Sequence, residues 1–207
     1  MADHIDVAQG LPANPEKATL EGKNKFLGMW VFLGGETVMF ATFFGTFLGL
    51  RKGTVGGPTA EDLFSLPLVF IMTMILLTSS LTSVLGILAM KRNNFKTLRT
   101  CMLLTVLLGF GFVGFEVYEF YHYYHEGLGY TTSAFASSFY TLVGLHGCHV
   151  LFGLGWIITL LARYWNAGGV TLANAPKFYS ASLYWHFIDV VWVFIFTVVY
   201  LLSVGGA

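Results

Sequence analysis

Glu36 is the only charged residue in Phe26–Leu50, a stretch long enough to cross a lipid bilayer. At ~1.5 Å of helical rise per residue, its carboxyl lies about halfway through a ~30 Å hydrocarbon core. A carboxylate at that depth costs on the order of 3 kcal/mol or more, so an ionisable residue inside the membrane indicates a functional role. The structural alternative is a protonated Glu36 that only hydrogen-bonds a neighbouring helix.

Four further ionisable residues lie in apolar stretches. His146 and His149 are three residues apart on one predicted helix, and His186 and Asp189 have the same spacing on another. By the same helical rise, His146 and Asp189 lie near the depth of Glu36. Buried carboxyls are either neutral or partnered. We therefore predict that these four residues form an interior polar network and that the buried groups, Glu36 included, hydrogen-bond one another.

Each of these side chains is also an acceptable metal ligand. A second set of possible ligands follows at the end of the third predicted helix: Glu116, Glu119, His122, His125 and Glu126. The segment from Glu119 to His122 matches one half of a di-iron bundle motif, which needs a second half and two more glutamates at mid-bundle. Because these are missing, we predict no metal site for either set. We interpret the outer set as a hydrogen-bonded or solvated helix end.

Five predicted transmembrane helices position these groups in an all-α membrane bundle. Hydrophobic residues make up 56% of the chain and charged residues only 11%, about half the charge of a soluble domain. The predicted spans are about 26–50, 63–90, 98–121, 134–164 and 178–204. They form a single membrane domain, 23–207, after a polar tail, 1–22, on the inner surface. A formal net charge of zero argues against nucleic-acid binding.

Basic residues predict the orientation. Nine lie on the side of the amino terminus and of the second and fourth loops: Lys17, Lys23, Lys25, Lys91, Arg92, Lys96, Arg99, Arg163 and Lys177. The other side has Arg51 and Lys52. This asymmetry places the amino terminus inside and the carboxyl terminus outside. A group of tyrosines at the outer end of the third helix is interpreted as interface anchors: Tyr118, Tyr121, Tyr123, Tyr124 and Tyr130.

Three stretches of the chain resemble subunit III of the haem–copper terminal oxidases. The first, NKFLGMWVFLGGETVMFA, begins at Asn24 and is similar to the family's helix that bears a carbodiimide-reactive glutamate. The second, GLHGCHVLFG, begins at Gly144 and resembles the family's G-x-H-G-x-H-V segment. The third, YWHFIDVVW, begins at Tyr184 and resembles Y-W-H-F-x-D-V-V-W. The resemblance runs from about Asn24 to Gly206, with five helices as in the short bacterial form of cytochrome c oxidase subunit III.

The resemblance implies an accessory subunit in the bacterial cytoplasmic membrane, without a catalytic residue or cofactor of its own. The expected partners are subunit I in direct contact and subunit II, with a small subunit IV as a further candidate. Haems and copper are expected in partner subunits, subunit I among them, and not in this chain. The expected role is to support proton uptake and turnover stability. Glu36 carries over as the buried functional carboxyl and Arg163 as a phospholipid head-group contact. His146, His149, His186 and Asp189 carry over as interior polar packing.

Three alternatives remain open from the sequence. Within the family, a quinol oxidase subunit III or a nitric oxide reductase accessory protein has similar motifs, because the electron donor binds elsewhere. From another class, an independent proton-coupled or metal transporter would also place ionisable groups near the midplane. The absence of a central proline in any span and of a visible internal repeat argues against the transporter.

Overall fold

The computed structural model describes residues 12, 14–54, 64–166 and 168–204, which form five long helices. These are α1 Leu20–Leu50, α2 Leu66–Lys91, α3 Phe95–His125, α4 Ala134–Tyr164 and α5 Ala175–Ile195. A π-helical segment, Phe196–Leu201, and a last turn, Leu202–Val204, continue α5. All five helices are long and apolar enough to cross a membrane, counting α5 with its continuation. The predicted bundle of five transmembrane helices is confirmed, whereas its orientation stays a prediction.

Several helices extend beyond the predicted spans. For example, α1 begins at Leu20 rather than Phe26, and α3 continues to His125 rather than Tyr121. Polar residues outside the hydrocarbon core continue these helices, so an estimate from apolar length alone stops short. A capping side chain marks the start of α1, because Thr19 Oγ1 accepts a hydrogen bond from Gly22 N at 3.0 Å.

The helix α5 is central to the packing, since it contacts α1, α2 and α4, while α3 packs against α2 and α4. Close approach at the centre depends on glycine. A Cβ atom at Gly109 of α3 would lie 2.8 Å from the ring of Trp185, and one at Gly153 of α4 would lie 3.1 Å from it. The Trp185 Nε1 group donates to Ser79 Oγ of α2 at 3.0 Å. One tryptophan of α5 thus contacts three neighbouring helices.

Part of the amino-terminal tail packs against the bundle. Pro15–Lys17 forms a 3-10 helix that contacts α1 and α5, and Pro15 and Glu16 are buried. Lys91 Nζ, at the end of α2, lies 3.7 Å from Glu16 Oε1 and donates to Asn14 Oδ1 at 3.2 Å. Pro15 and Glu16 are therefore packed against the bundle rather than exposed, with Lys91 as the cationic partner of Glu16, whereas the position of the tail on the inner surface stays a prediction. The earlier part of the predicted tail, 1–11, lies outside the described residues.

Candidate functional site

Glu36 of α1 and His149 of α4 form a pair across the seam between their helices. The distance between Glu36 Oε2 and His149 Nε2 is 2.9 Å. Each side chain is 16% exposed, and the Phe40 ring lies edge-on to the imidazole at 5.1 Å. The pair is therefore enclosed by apolar side chains on the protein side and remains partly open on the other.

The hydrogen bonds of His149 determine how a proton can be placed in this pair. His149 Nδ1 lies 2.7 Å from the carbonyl oxygen of Leu145, which can only accept, so Nδ1 carries a hydrogen. If the imidazole is neutral, Nε2 accepts and the Glu36 carboxyl must donate. If the imidazole is protonated, Nε2 donates to a Glu36 carboxylate. In both forms one proton lies between Nε2 and Oε2, and it can move from one group to the other without changing the net charge of the pair.

The pair borders an apolar groove on the outer side of α1 and α4. A cavity of about 340 Å³ is lined by His149, Phe32, Cys148, Phe152 and Tyr184. A second cavity, of about 480 Å³, lies along the same helices toward the predicted inner end. Its lining is mainly apolar but includes Lys25 and Lys177. An acyl chain would fit the apolar part, and the two ammonium groups match an anionic head group.

The lysines of this groove were not among the predicted site residues. Lys25 also pairs with Glu21 one turn earlier, and Lys177 Nζ donates to Tyr164 Oη at 2.7 Å. The predicted head-group contact, Arg163, is exposed near the end of α4. The signal that could have indicated the lysines is their place at the predicted inner ends of α1 and α5.

The structure divides the predicted polar network into two parts. Glu36 bonds His149, but neither His146 nor Asp189 has a hydrogen bond to it. His146 and His149 are three residues apart, so their side chains point about 60° apart around α4. His146 therefore faces the bundle centre, where it is fully buried and stacks on Trp192 at 5.2 Å.

His186 and Asp189 lie with His146 in the central part. Asp189 is 4% exposed, and His186 Nδ1 lies 2.6 Å from Ser80 Oγ of α2. The Ser80 hydroxyl is also near Asp189, but its geometry favours the bond to His186. The central residues are thus contributed by α2, α4 and α5 and do not involve α1.

The outer set of ionisable residues is also divided. His122, His125 and Glu126 are exposed, whereas Glu116 and Glu119 are buried. Within the part of the chain that the structure describes, no three His, Cys, Asp or Glu side chains converge on a point where a metal ion could bind.

Glu119 accepts two hydrogen bonds from tyrosines that the sequence did not connect with it. Tyr123 Oη donates to Oε1 at 2.5 Å and Tyr200 Oη to Oε2 at 2.9 Å. The prediction of an interface anchor is wrong for Tyr123, which is 1% exposed because it faces inward one turn after Glu119. Tyr200 lies in the π-helical segment, which sequence periodicity does not reveal.

The fold and the seam define a multi-pass helical membrane protein with a glutamate–histidine pair beside an apolar groove. The sequence model of the family described as cytochrome c oxidase subunit III matches residues 14–204. The chain therefore belongs to the cytochrome c oxidase subunit III family.

Individual relatives agree with this assignment. The chain is 69% identical to cytochrome c oxidase subunit 3 of Alkalihalophilus pseudofirmus over 207 residues, which is all of both chains. It is 65% identical to the subunit of the same name in Bacillus sp. PS3, over 96% of each chain. A quinol oxidase subunit 3 of Bacillus spizizenii is 48% identical over 89% of this chain and 90% of that one. With its five spans, the chain is a multi-pass protein of the bacterial cytoplasmic membrane.

Proposed function

We propose that this chain is the non-redox accessory subunit III of a respiratory haem–copper oxidase that receives electrons from cytochrome c. The observation that carries the proposal is the 69% identity over the whole of both chains to a protein named cytochrome c oxidase subunit 3. Cytochrome c is proposed as the electron donor because sequence identity is higher to cytochrome c oxidase subunits than to quinol oxidase subunits. Relatives named for cytochrome c oxidase reach 61–69%, whereas those named for quinol oxidase reach 46–48%.

In the proposed subunit, the Glu36–His149 pair is the site that handles protons. A carboxyl–imidazole pair of this kind can take up a proton and release it again, while it keeps one hydrogen bond between α1 and α4. Such a pair can support proton uptake by a neighbouring catalytic chain without taking part in oxygen chemistry. Its position beside the groove also makes it accessible to hydrophobic reagents.

The proposed partners are subunit I in direct contact, subunit II and a small subunit IV. Haems and copper are proposed in partner subunits, subunit I among them, with no catalytic, cofactor or metal residue proposed in this chain. Phospholipids are the proposed occupants of the apolar groove, with Lys25, Lys177 and Arg163 available for head groups near the predicted inner side. The proposed orientation places the amino terminus inside.

Purification of the tagged chain from its own membranes in mild detergent tests the proposal. We expect haem-bearing and copper-bearing chains to co-purify, and the complex to oxidise reduced cytochrome c faster than a quinol. A complex that oxidises only quinol would move the assignment to the quinol oxidases. A colourless chain alone, with transport activity in liposomes, would support the transporter alternative instead.

A further inference from the structure

A column of buried polar side chains crosses the bundle centre, separate from the Glu36–His149 pair. Its middle members are Glu116 of α3, His146 of α4 and Asp189 of α5, each no more than 4% exposed. Several of their polar atoms have no hydrogen-bond partner within the described residues. These are Glu116 Oε1, both ring nitrogens of His146 and both carboxyl oxygens of Asp189.

The three side chains surround one aromatic cluster. Phe112 meets His146 edge-on at 5.9 Å and Trp192 at 4.6 Å, and Trp192 stacks on His146. Glu116 lies one turn after Phe112, and Asp189 lies one turn before Trp192. Glu116 also contacts α4 closely, because a Cβ atom at Gly147 would lie 2.6 Å from Glu116 Oε1. Phe112 and Trp192, which both contact His146, thus lie one helical turn from Glu116 and from Asp189 along their own helices.

Toward the predicted inner end, a chain of hydrogen bonds continues the column. Next to Asp189, Ser80 bonds His186, whose Nε2 lies 3.4 Å from Ser182 Oγ. Ser182 in turn lies 2.7 Å from Ser83 Oγ. His186 and Ser182 line a cavity of about 200 Å³ that also includes Lys91 near the end of α2. Most of its lining is apolar, but Lys91, Ser182 and His186 offer polar contacts to water that approaches the bundle centre.

The cost of burying polar atoms without partners indicates that water occupies the bundle centre. Each buried polar atom without a partner destabilises the folded chain, because it has lost its hydration and gained no hydrogen bond in return. A buried water molecule typically offers ~3 hydrogen bonds to such atoms. A neutral imidazole has one donor and one acceptor, so His146 can bond water at both ring nitrogens.

We propose that Glu116, His146 and Asp189 bind ordered water molecules that bridge them and that exchange with solvent through the cavity beside Lys91. This hydration site contains no residue of the Glu36–His149 pair, so it does not depend on the function proposed for that pair. Through the bridging waters, hydrogen bonds run from the cavity past Asp189 and His146 to Glu116.

A double-mutant cycle in the intact complex tests the bridge. His146→Leu and Asp189→Leu each leave the other residue without its bridge, so each should lower the temperature at which the complex loses this subunit. The double variant removes both polar partners and should lose much less than the sum of the two shifts. Additive shifts would overturn the proposal. Asp189→Asn keeps a donor and an acceptor and should change little, and Glu36→Gln combined with His146→Leu should be additive.

A density map of the wild-type complex tests the identity of the ligand, even if a variant fails to assemble. We expect water-sized peaks within hydrogen-bond distance of His146 and Asp189, and their loss in the assembled double variant. A direct contact between the His146 and Asp189 side chains without intervening density would overturn the proposal. Density at the site that remains in the double variant would overturn it as well.

Discussion

The two histidines of α4 lie one turn apart but belong to different regions of the molecule. His149 faces the seam with α1, where one hydrogen bond links it to Glu36 and a groove leaves both groups partly exposed. His146 faces the centre, where it is fully buried between aromatic rings. A small rotation around one helix thus separates a partly exposed group beside a groove from one that is part of the interior.

The two regions also differ in how tightly they are packed. At the centre, ring contacts and hydrogen bonds join α2, α3, α4 and α5 around Trp185 and Trp192. At the seam, α1 packs against α4 and α5 and leaves large apolar side chains such as Leu27 and Val31 exposed. We therefore expect substitutions at the centre to affect assembly and those at the seam to affect the shared proton.

Glu119→Leu should give the largest loss of stability. The substitution leaves the hydroxyls of Tyr123 and Tyr200 buried without their acceptor, at a cost of about 1–3 kcal/mol each. Thermal unfolding of the purified complex should show a clear decrease in the midpoint for release of this subunit. The matched control is Glu126→Leu on the same helix, which is exposed and should change the midpoint little. Equal effects of the two substitutions would contradict the claim that the buried hydrogen bonds of Glu119 stabilise the subunit.

Gly109→Ala should be the next most damaging change. Its Cβ atom would lie 2.7 Å from Leu154 Cδ2 and 2.8 Å from the Trp185 ring, and such overpacking costs about 1–3 kcal/mol. Gly35→Ala on α1 meets nothing within 4 Å, so it should be neutral or slightly stabilising. The amount of this subunit retained in the complex after mild heating measures both. If Gly35→Ala were the more damaging, that side of α1 would be packed against another chain in the assembled complex, more tightly than the centre of this bundle.

His149→Leu should increase the labelling of Glu36 by a hydrophobic carbodiimide several-fold. Without the imidazole the shared-proton arrangement is lost, and only the neutral carboxyl, the form that the reagent modifies, is compatible with the apolar seam. Mass spectrometry of labelled peptides measures the change. His186→Leu in the centre is the control and should leave labelling unchanged. A decrease in the His149→Leu variant would show that the imidazole promotes the reaction.

Cysteine labelling at the two ends of α3 should show which end of the bundle lies on the inner side of the membrane. In a background of Cys101→Ala and Cys148→Ala, Lys96→Cys should be shielded from an impermeant reagent in intact cells. Glu126→Cys should be labelled. The opposite pattern would reverse the orientation and place the cavity beside Lys91 on the outer side. Neither substitution should alter stability, since both side chains are exposed.

The sequence allowed the five helices to be predicted. It did not allow the hydrogen-bond partners of the polar side chains to be predicted. Long apolar stretches interrupted by single charges predict spans, and helical rise predicts that Glu36, His146 and Asp189 lie at similar depths. Depth does not specify the rotation of a helix about its axis, so the bond from Glu36 to His149 had to come from packing. Likewise, the contact between Tyr200 and Glu119 depends on a π-helical segment with no clear signature in the sequence.

Glu36→Gln in a fully assembled oxidase tests most directly the claim that the seam pair supports the complex without taking part in its chemistry. The amide keeps a donor and an acceptor for His149 but has no exchangeable acidic proton. In a rapid-mixing experiment with oxygen, we predict a first turnover close to the wild-type rate, followed by lower proton-coupling efficiency or earlier inactivation over many turnovers. Loss of the first turnover in the assembled variant would contradict the account, because Glu36 would then lie on an obligatory reaction path.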